Sequence, residues 1–229
     1  MLDFGITGRL FRLCEVVMRL AYVNLLWVLF TALGLGLFGI FPATVALFTV
    51  TRKWVMGDHD IPIFSTFWHT YRKEFFKSTL FGFILFVIGY IIYVDLVYLP
   101  TGGLFDFVRW GIVVCGFLYI IMMLYIFPIY VHFDWKHRLY IKYALLLGAS
   151  HPHFTMLMII GIGALYYLVM SIPGLIPFFS VSILAYIMMW TVHLVVKRLE
   201  MKQEDAEVEA ASKQGDKIES SQINVESIK

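Results

Sequence analysis

His132, Asp134 and His137 are the residues that could by type do metal-assisted or general-base chemistry, since imidazoles and carboxylates supply ligands and bases for hydrolysis. Their spacing argues against it. His132 and Asp134 stand at i and i+2 and do not share a helical face, and the step to His137 crosses an expected helix end. Trp135 and Lys136 lie between them, which reads as an interfacial polar cluster. His151 and His153 flank Pro152 without further ligands nearby, so they mark a boundary between two helices. There is no Gly-rich loop ending in Lys-Ser or Lys-Thr, no His-Glu-x-x-His and no Gly-x-Ser-x-Gly. Cys14 and Cys115 lie in apolar surroundings with no partner spacing and read as small hydrophobes. The expectation is a non-enzymatic protein with no catalytic residue, no cofactor and no metal.

Two polar side chains inside apolar runs are candidates of another kind. A charged or amide group in hydrocarbon is costly unless paired or hydrated. Asp95 stands about four residues from the end of its run, close enough to Arg109 for a structural pair. Asn24 shares a helical side with Glu15 and Arg19, so these three are expected to bind one another or a neighbouring helix. Tyr90, Tyr93, Tyr98 and Trp110 fit an interfacial aromatic belt.

The elements that carry these residues follow from composition. Of 229 residues, 60% are hydrophobic, 17% aromatic and only 15% charged, against about 25% charged in an ordinary soluble domain. Repeated runs approach the roughly 20 apolar residues that cross a bilayer. The fold class is therefore all-α: a polytopic membrane bundle of about six hydrophobic helices plus two cytoplasmic amphipathic helices. The first helix is expected over about 10–40, with a turn at Phe41-Pro42. A second covers 43–56, too short for a clear crossing and either a thin span or a re-entrant half-span. After the loop 57–62, with Asp60 as a cap before Pro62, an amphipathic helix covers 64–77. It lies along the membrane surface or docks on the bundle. Spans follow over 79–99 and 108–133, then a second amphipathic helix over 139–149, then spans over 154–172 and 175–196.

The formal charge of +2 averages two regions. Residues 1–199, the membrane domain, hold 14 Lys and Arg against 8 Asp and Glu; residues 200–229 hold 4 against 8. With almost no aromatic residue or long apolar run, the second region reads as a disordered acidic cytoplasmic tail. With both termini in the cytoplasm, only Arg109 of 18 basic residues falls outside, which selects that orientation in the cell membrane.

The most distinctive stretch is cytoplasmic. Arg52, Lys53 and Trp54 form a basic turn, and Asp60 leads into a helix with Phe64, Phe67, Trp68, Tyr71 and Phe75 at helical spacing and Arg72, Lys73 and Lys77 on the other face. This pattern suits docking to a protein partner or to anionic lipid headgroups. Nucleic acid is not among the implied partners.

These same residues carry a resemblance. Gly39-Ile40-Phe41-Pro42-Ala43-Thr44, Thr51-Arg52-Lys53-Trp54, Gly57, Asp60-Ile61-Pro62, Phe67-Trp68, Tyr71 and Phe75-Phe76-Lys77 resemble the YesL family of small bacterial integral membrane proteins. Leu-Phe-Arg-Leu-Cys-Glu at 10–15 and Tyr143 to Leu147 followed by Ser150-His151-Pro152 also fit its pattern. The resemblance covers about residues 3–198. It implies an accessory membrane subunit of a carbohydrate importer of the ATP-binding-cassette (ABC) type, handling oligosaccharides, and it assigns no catalytic residue. An independent small-solute transporter and a membrane sensor or regulator are the alternatives.

Overall fold

The computed structural model describes residues 6–100, 102–133 and 137–226. Seven α-helices account for nearly all of them: α1 Ile6–Leu33, α2 Leu37–Val55, α3 Ile63–Tyr98, α4 Leu104–His132, α5 His137–Ser150, α6 Pro152–Ser171 and α7 Ile176–Glu226. A single 3-10 turn, Pro173–Leu175, joins the last two, and there is no strand among the described residues. Five helices are long and apolar enough to cross a membrane, within α1, α3, α4, α6 and the first half of α7. The chain is thus a multi-pass helical membrane protein. The described residues up to Val192 form one compact unit and those from His193 a second, within which the backbone is helical as far as Glu226.

Two boundaries differ from the sequence reading. The turn expected at Phe41-Pro42 lies earlier, at Gly34–Gly36, where Leu35 and Gly36 take left-handed φ values of 60° and 71°. Pro42 sits inside α2. A proline there removes the amide that would bond the carbonyl of Phe38, and the Thr79 hydroxyl donates to that carbonyl at 3.0 Å instead. A tertiary contact thus replaces the lost rung. With its true start at Leu37, α2 has 19 residues, about 28 Å at 1.5 Å per residue, close to hydrocarbon thickness. It does not count with the five helices that are long and apolar enough to cross, because its last turn holds Arg52 and Lys53.

The second difference is the amphipathic helix. Residues 64–77 are not a separate surface element but the first half of the 36-residue α3, continuous with the span that follows. No breaker separates them: Ser78 donates to the Glu74 carbonyl at 2.7 Å and Thr79 reaches α2, so both hydroxyls are used without interrupting the helix. At about 54 Å, α3 exceeds the roughly 30 Å hydrocarbon core. Of the two positions expected for the amphipathic segment, the docked one is observed.

Close packing concentrates where α1, α2 and the first half of α3 meet. Phe30 touches Phe64, Phe67, Trp68 and Tyr71, with ring centroids 5.0 to 6.4 Å apart. The Tyr71 hydroxyl donates to the Phe30 carbonyl at 3.0 Å, a second bond to an oxygen that also accepts from the Gly34 amide at 3.1 Å. Trp27 donates to the Thr44 hydroxyl at 3.0 Å. Glycine is required here by proximity. A Cβ on Gly34 would overlap the backbone of Gly39, and one on Gly82 would enter the ring of Phe41. α4 runs antiparallel to α3, with the Tyr119 hydroxyl donating to the Leu85 carbonyl at 2.9 Å.

Candidate functional site

α2 ends in a basic turn because its apolar run stops at Val50, and Arg52 and Lys53 there also face the negative end of the helix dipole. Trp54 is buried beside them. In α3, the aromatic positions divide between two environments. Phe67 and Tyr71 are buried against α1, whereas Phe64 and Trp68 are about half exposed beside Phe30 and Phe76 is 86% exposed. Phe75 is half-buried and meets Tyr71 and Phe76 edge-on.

Between the end of α2, the first half of α3, the end of α4 and the start of α5 lies an open cavity of about 390 Å³. Val45, Thr49 and Arg52 come from α2; His69, Thr70, Lys73, Glu74 and Lys77 from α3; residues 130–133 from α4 and its end; and Tyr140 from α5. The walls are braced by aromatic contacts. Tyr130 stacks on Phe81 at 5.7 Å and lies 5.0 Å from Tyr140, whose hydroxyl donates to the Phe133 carbonyl at 3.0 Å. The Tyr130 hydroxyl donates to Glu74 at 2.8 Å, fixing the single carboxylate in the lining among the described residues. Arg52, Lys73 and Lys77 have no carboxylate within 4 Å among the described residues, and the Arg52 Nε is buried without a hydrogen-bond partner. Among the described residues, three cations and two imidazoles around one tied carboxylate make this a concave basic site.

The other sequence candidates distribute as follows. Lys53 is half-buried and does not line the cavity; Arg72 faces a shallow groove with Ser65, Trp68, His69 and Lys73. Asp60 is fully exposed and does not cap α3, whose N-cap is Pro62 with no side-chain bond. It sits 3.8 Å from Arg19, which also pairs with Glu15 and donates to the His59 carbonyl at 2.6 Å, so Arg19 anchors the α2–α3 loop. Asn24 is fully buried and does bind a neighbouring helix. Its amide donates to the Pro177 carbonyl at 2.7 Å and accepts from the amides of Val181 and Ser182 at 3.1 and 3.0 Å. It acts as a spare peptide group inside the first turns of α7. Asp95 is exposed; Arg109 donates to the Leu96 carbonyl at 3.3 Å rather than to Asp95.

His132 lines the cavity, but Asp134, Trp135 and Lys136 and the His137 side chain lie outside the described residues. No group of three or more potential metal ligands assembles among the described residues. Glu74, Tyr130 and Tyr140 were invisible as site residues in the sequence. A lone acid in a basic helix and two tyrosines in apolar runs become a wall only when α4 and α5 pack on α3.

Fold and site define a small polytopic helical membrane protein with a basic cavity at one end of its helices. Residues 20–96 match the family described as "Protein of unknown function, DUF624". The chain is 48% identical over 197 residues to the uncharacterized protein YteU of Bacillus subtilis, covering 86% of this chain and 89% of that one. It is 42% identical to YesV of the same organism, over 81% of this chain and 90% of that one. With YesL, again of Bacillus subtilis, it shares 34% identity over 83% and 91% of the two chains. The chain belongs to this YesL-like family. No solved structure matches it.

Proposed function

We propose that this protein is a non-enzymatic accessory subunit of an oligosaccharide importer of the ABC type, placed in the cell membrane with both termini in the cytoplasm. The observation that carries this reading is the face of α3 left uncovered by the fold. Phe64, Trp68 and Phe76 are exposed beside Arg72 and Lys73, a mixture of aromatic and cationic side chains of the kind enriched at protein interfaces. The orientation rests on the distribution of basic residues, which puts the α2–α3 loop and the cavity on the cytoplasmic side. α2 then serves as the return crossing, giving six in all. The resemblance to the YesL family supplies the class of partner.

The test is purification of the tagged full-length chain from its native membrane in mild detergent. Importer subunits should co-purify, and Trp68→Ala with Arg72→Glu should release them. Failure to recover any importer subunit across several detergents and in nanodiscs sinks the proposal. A second reading, transport of a small solute by the chain itself, is favoured by the cavity. It requires uptake of that solute into liposomes holding the pure protein.

A further inference from the structure

We propose that the cavity between α2, α3, α4 and α5 is a phosphoryl-anion site, built for the phosphate of a lipid headgroup or of a soluble phosphate ester. The inference goes beyond the importer reading and does not depend on it. Its first support is an imbalance. Arg52, Lys73 and Lys77 line one cavity, the only acid lining it among the described residues is Glu74, and that carboxylate is tied to Tyr130. Helix-end electrostatics account for a basic last turn in α2. They do not account for two lysines of α3 sharing the cavity with it.

The second support is the Arg52 Nε, a donor shielded from solvent with no partner. A guanidinium whose inner nitrogen is buried in a concave, cation-rich wall is suited to a bidentate oxyanion. A carboxylate would balance only one of the surplus charges. A phosphoryl group offers one charge as a lipid diester and up to two as a soluble monoester, and in both forms more acceptor oxygens than a carboxylate for a set of three cations with one committed acid. The third support is placement. Val45 and Thr49 belong to the apolar body of α2 and Arg52 to its polar end, so the lining passes from apolar to cationic over two turns. That gradient matches the boundary of the hydrocarbon, where lipid phosphates lie. The volume, about 390 Å³, accommodates a headgroup or a small phosphate ester.

The test uses the full chain in nanodiscs of pure phosphatidylcholine, with two arms. In one, inorganic phosphate and glycerol 3-phosphate are titrated and thermal unfolding is followed. In the other, phosphatidylglycerol is doped in, and retained lipid is counted by native mass spectrometry after extraction. A shift from the soluble ions identifies a soluble ester as the source. Retained phosphatidylglycerol that millimolar phosphate does not displace identifies the headgroup. In either arm Arg52→Gln should weaken binding about tenfold or more, consistent with loss of a charge-assisted bond. Lys73→Gln and Lys77→Gln should each weaken it several-fold, while Lys53→Gln and Arg72→Gln, outside the cavity, should change it less than about twofold. Because Arg52→Gln could disturb α2, Arg52→Lys is the companion variant: it keeps the charge, loses the fork, and should bind with intermediate affinity. Equal losses from all five basic positions would reduce the effect to general surface charge and overturn the site. So would the absence of the shift together with no retained lipid of either kind, phosphatidylcholine or phosphatidylglycerol, or Glu74→Gln weakening rather than strengthening the binding.

Discussion

Residues 43–54 and residues 83–98 are both strongly apolar, yet the molecule uses them in opposite ways. In the first stretch, Ala43, Val45, Ala46, Leu47, Phe48, Val50 and Trp54 are buried against other helices. In the second, Leu85 is the one buried hydrophobic residue, and Phe83, Ile84, Phe86, Ile91 and Val97 face outward. In water the outward-facing group would be a liability. In lipid it is the ordinary surface, because acyl chains solvate leucine as well as another helix does. Hydropathy therefore reports where a segment lives, while a subset of the small residues and hydroxyls sits where helices touch. Gly34, Gly39, Pro42, Thr44, Thr79 and Gly82 all fall at the packed corner.

The comparison breaks most sharply at glycine. Gly82→Leu should cost about 3 kcal/mol or more, because the new side chain must displace the Phe41 ring that fills its site. Gly111→Leu and Gly163→Leu, where a Cβ meets nothing, should stay within about 0.5 kcal/mol. Unfolding of the nanodisc-embedded or detergent-held protein by added SDS reads both. Equal effects at the three positions would refute the idea of a packed corner against a lipid-facing face.

Aromatic truncation sharpens the same contrast. Phe30→Ala removes a ring held among four others and should cost about 3 kcal/mol. Phe83→Ala, on the exposed face, should cost well under 1 kcal/mol in the same titration, since lipid replaces the ring on both sides of the equilibrium. A somewhat smaller loss is expected for Asn24→Leu, about 2 kcal/mol. Three backbone groups of α7 lose their partner, and membrane hydrogen bonds contribute about 0.6 kcal/mol each on average. Faster hydrogen exchange at Val181 and Ser182 is the local signature of that change.

The smallest effect has the opposite sign. Leu35 is an exposed non-glycine residue at φ 60° in the α1–α2 turn. Leu35→Gly should raise stability by about 0.5–1 kcal/mol by removing the left-handed penalty. A loss on this substitution would mean that the turn depends on the leucine side chain.

Much of this was legible from residue order. The helical membrane class, five membrane-length runs and the loop at 57–62 follow from apolar length and from Gly and Pro, because a bilayer leaves the backbone few other options. Position 42 shows where that reading stops. Proline ordinarily signals a boundary, yet α2 runs through it, and the hydroxyl of Thr79, 37 residues away, bonds the carbonyl that Pro42 leaves without an amide. Likewise, no local pattern at Ser78 and Thr79 announces that α3 is one helix and not two.

What the sequence determined by itself is therefore the solvent: long uncharged runs are suited only to lipid. It also marked 39–77 as the stretch with the most specific residue types. Only tertiary structure decided what those residues make. Arg52 lies 21 and 25 residues from Lys73 and Lys77, Glu74 lies 56 from Tyr130, and Tyr140 comes from yet another helix. Their assembly into one basic cavity depends on the antiparallel packing of α2, α3 and α4 through glycine contacts and single hydroxyl bonds, and such long-range pairings leave no periodic trace in the chain.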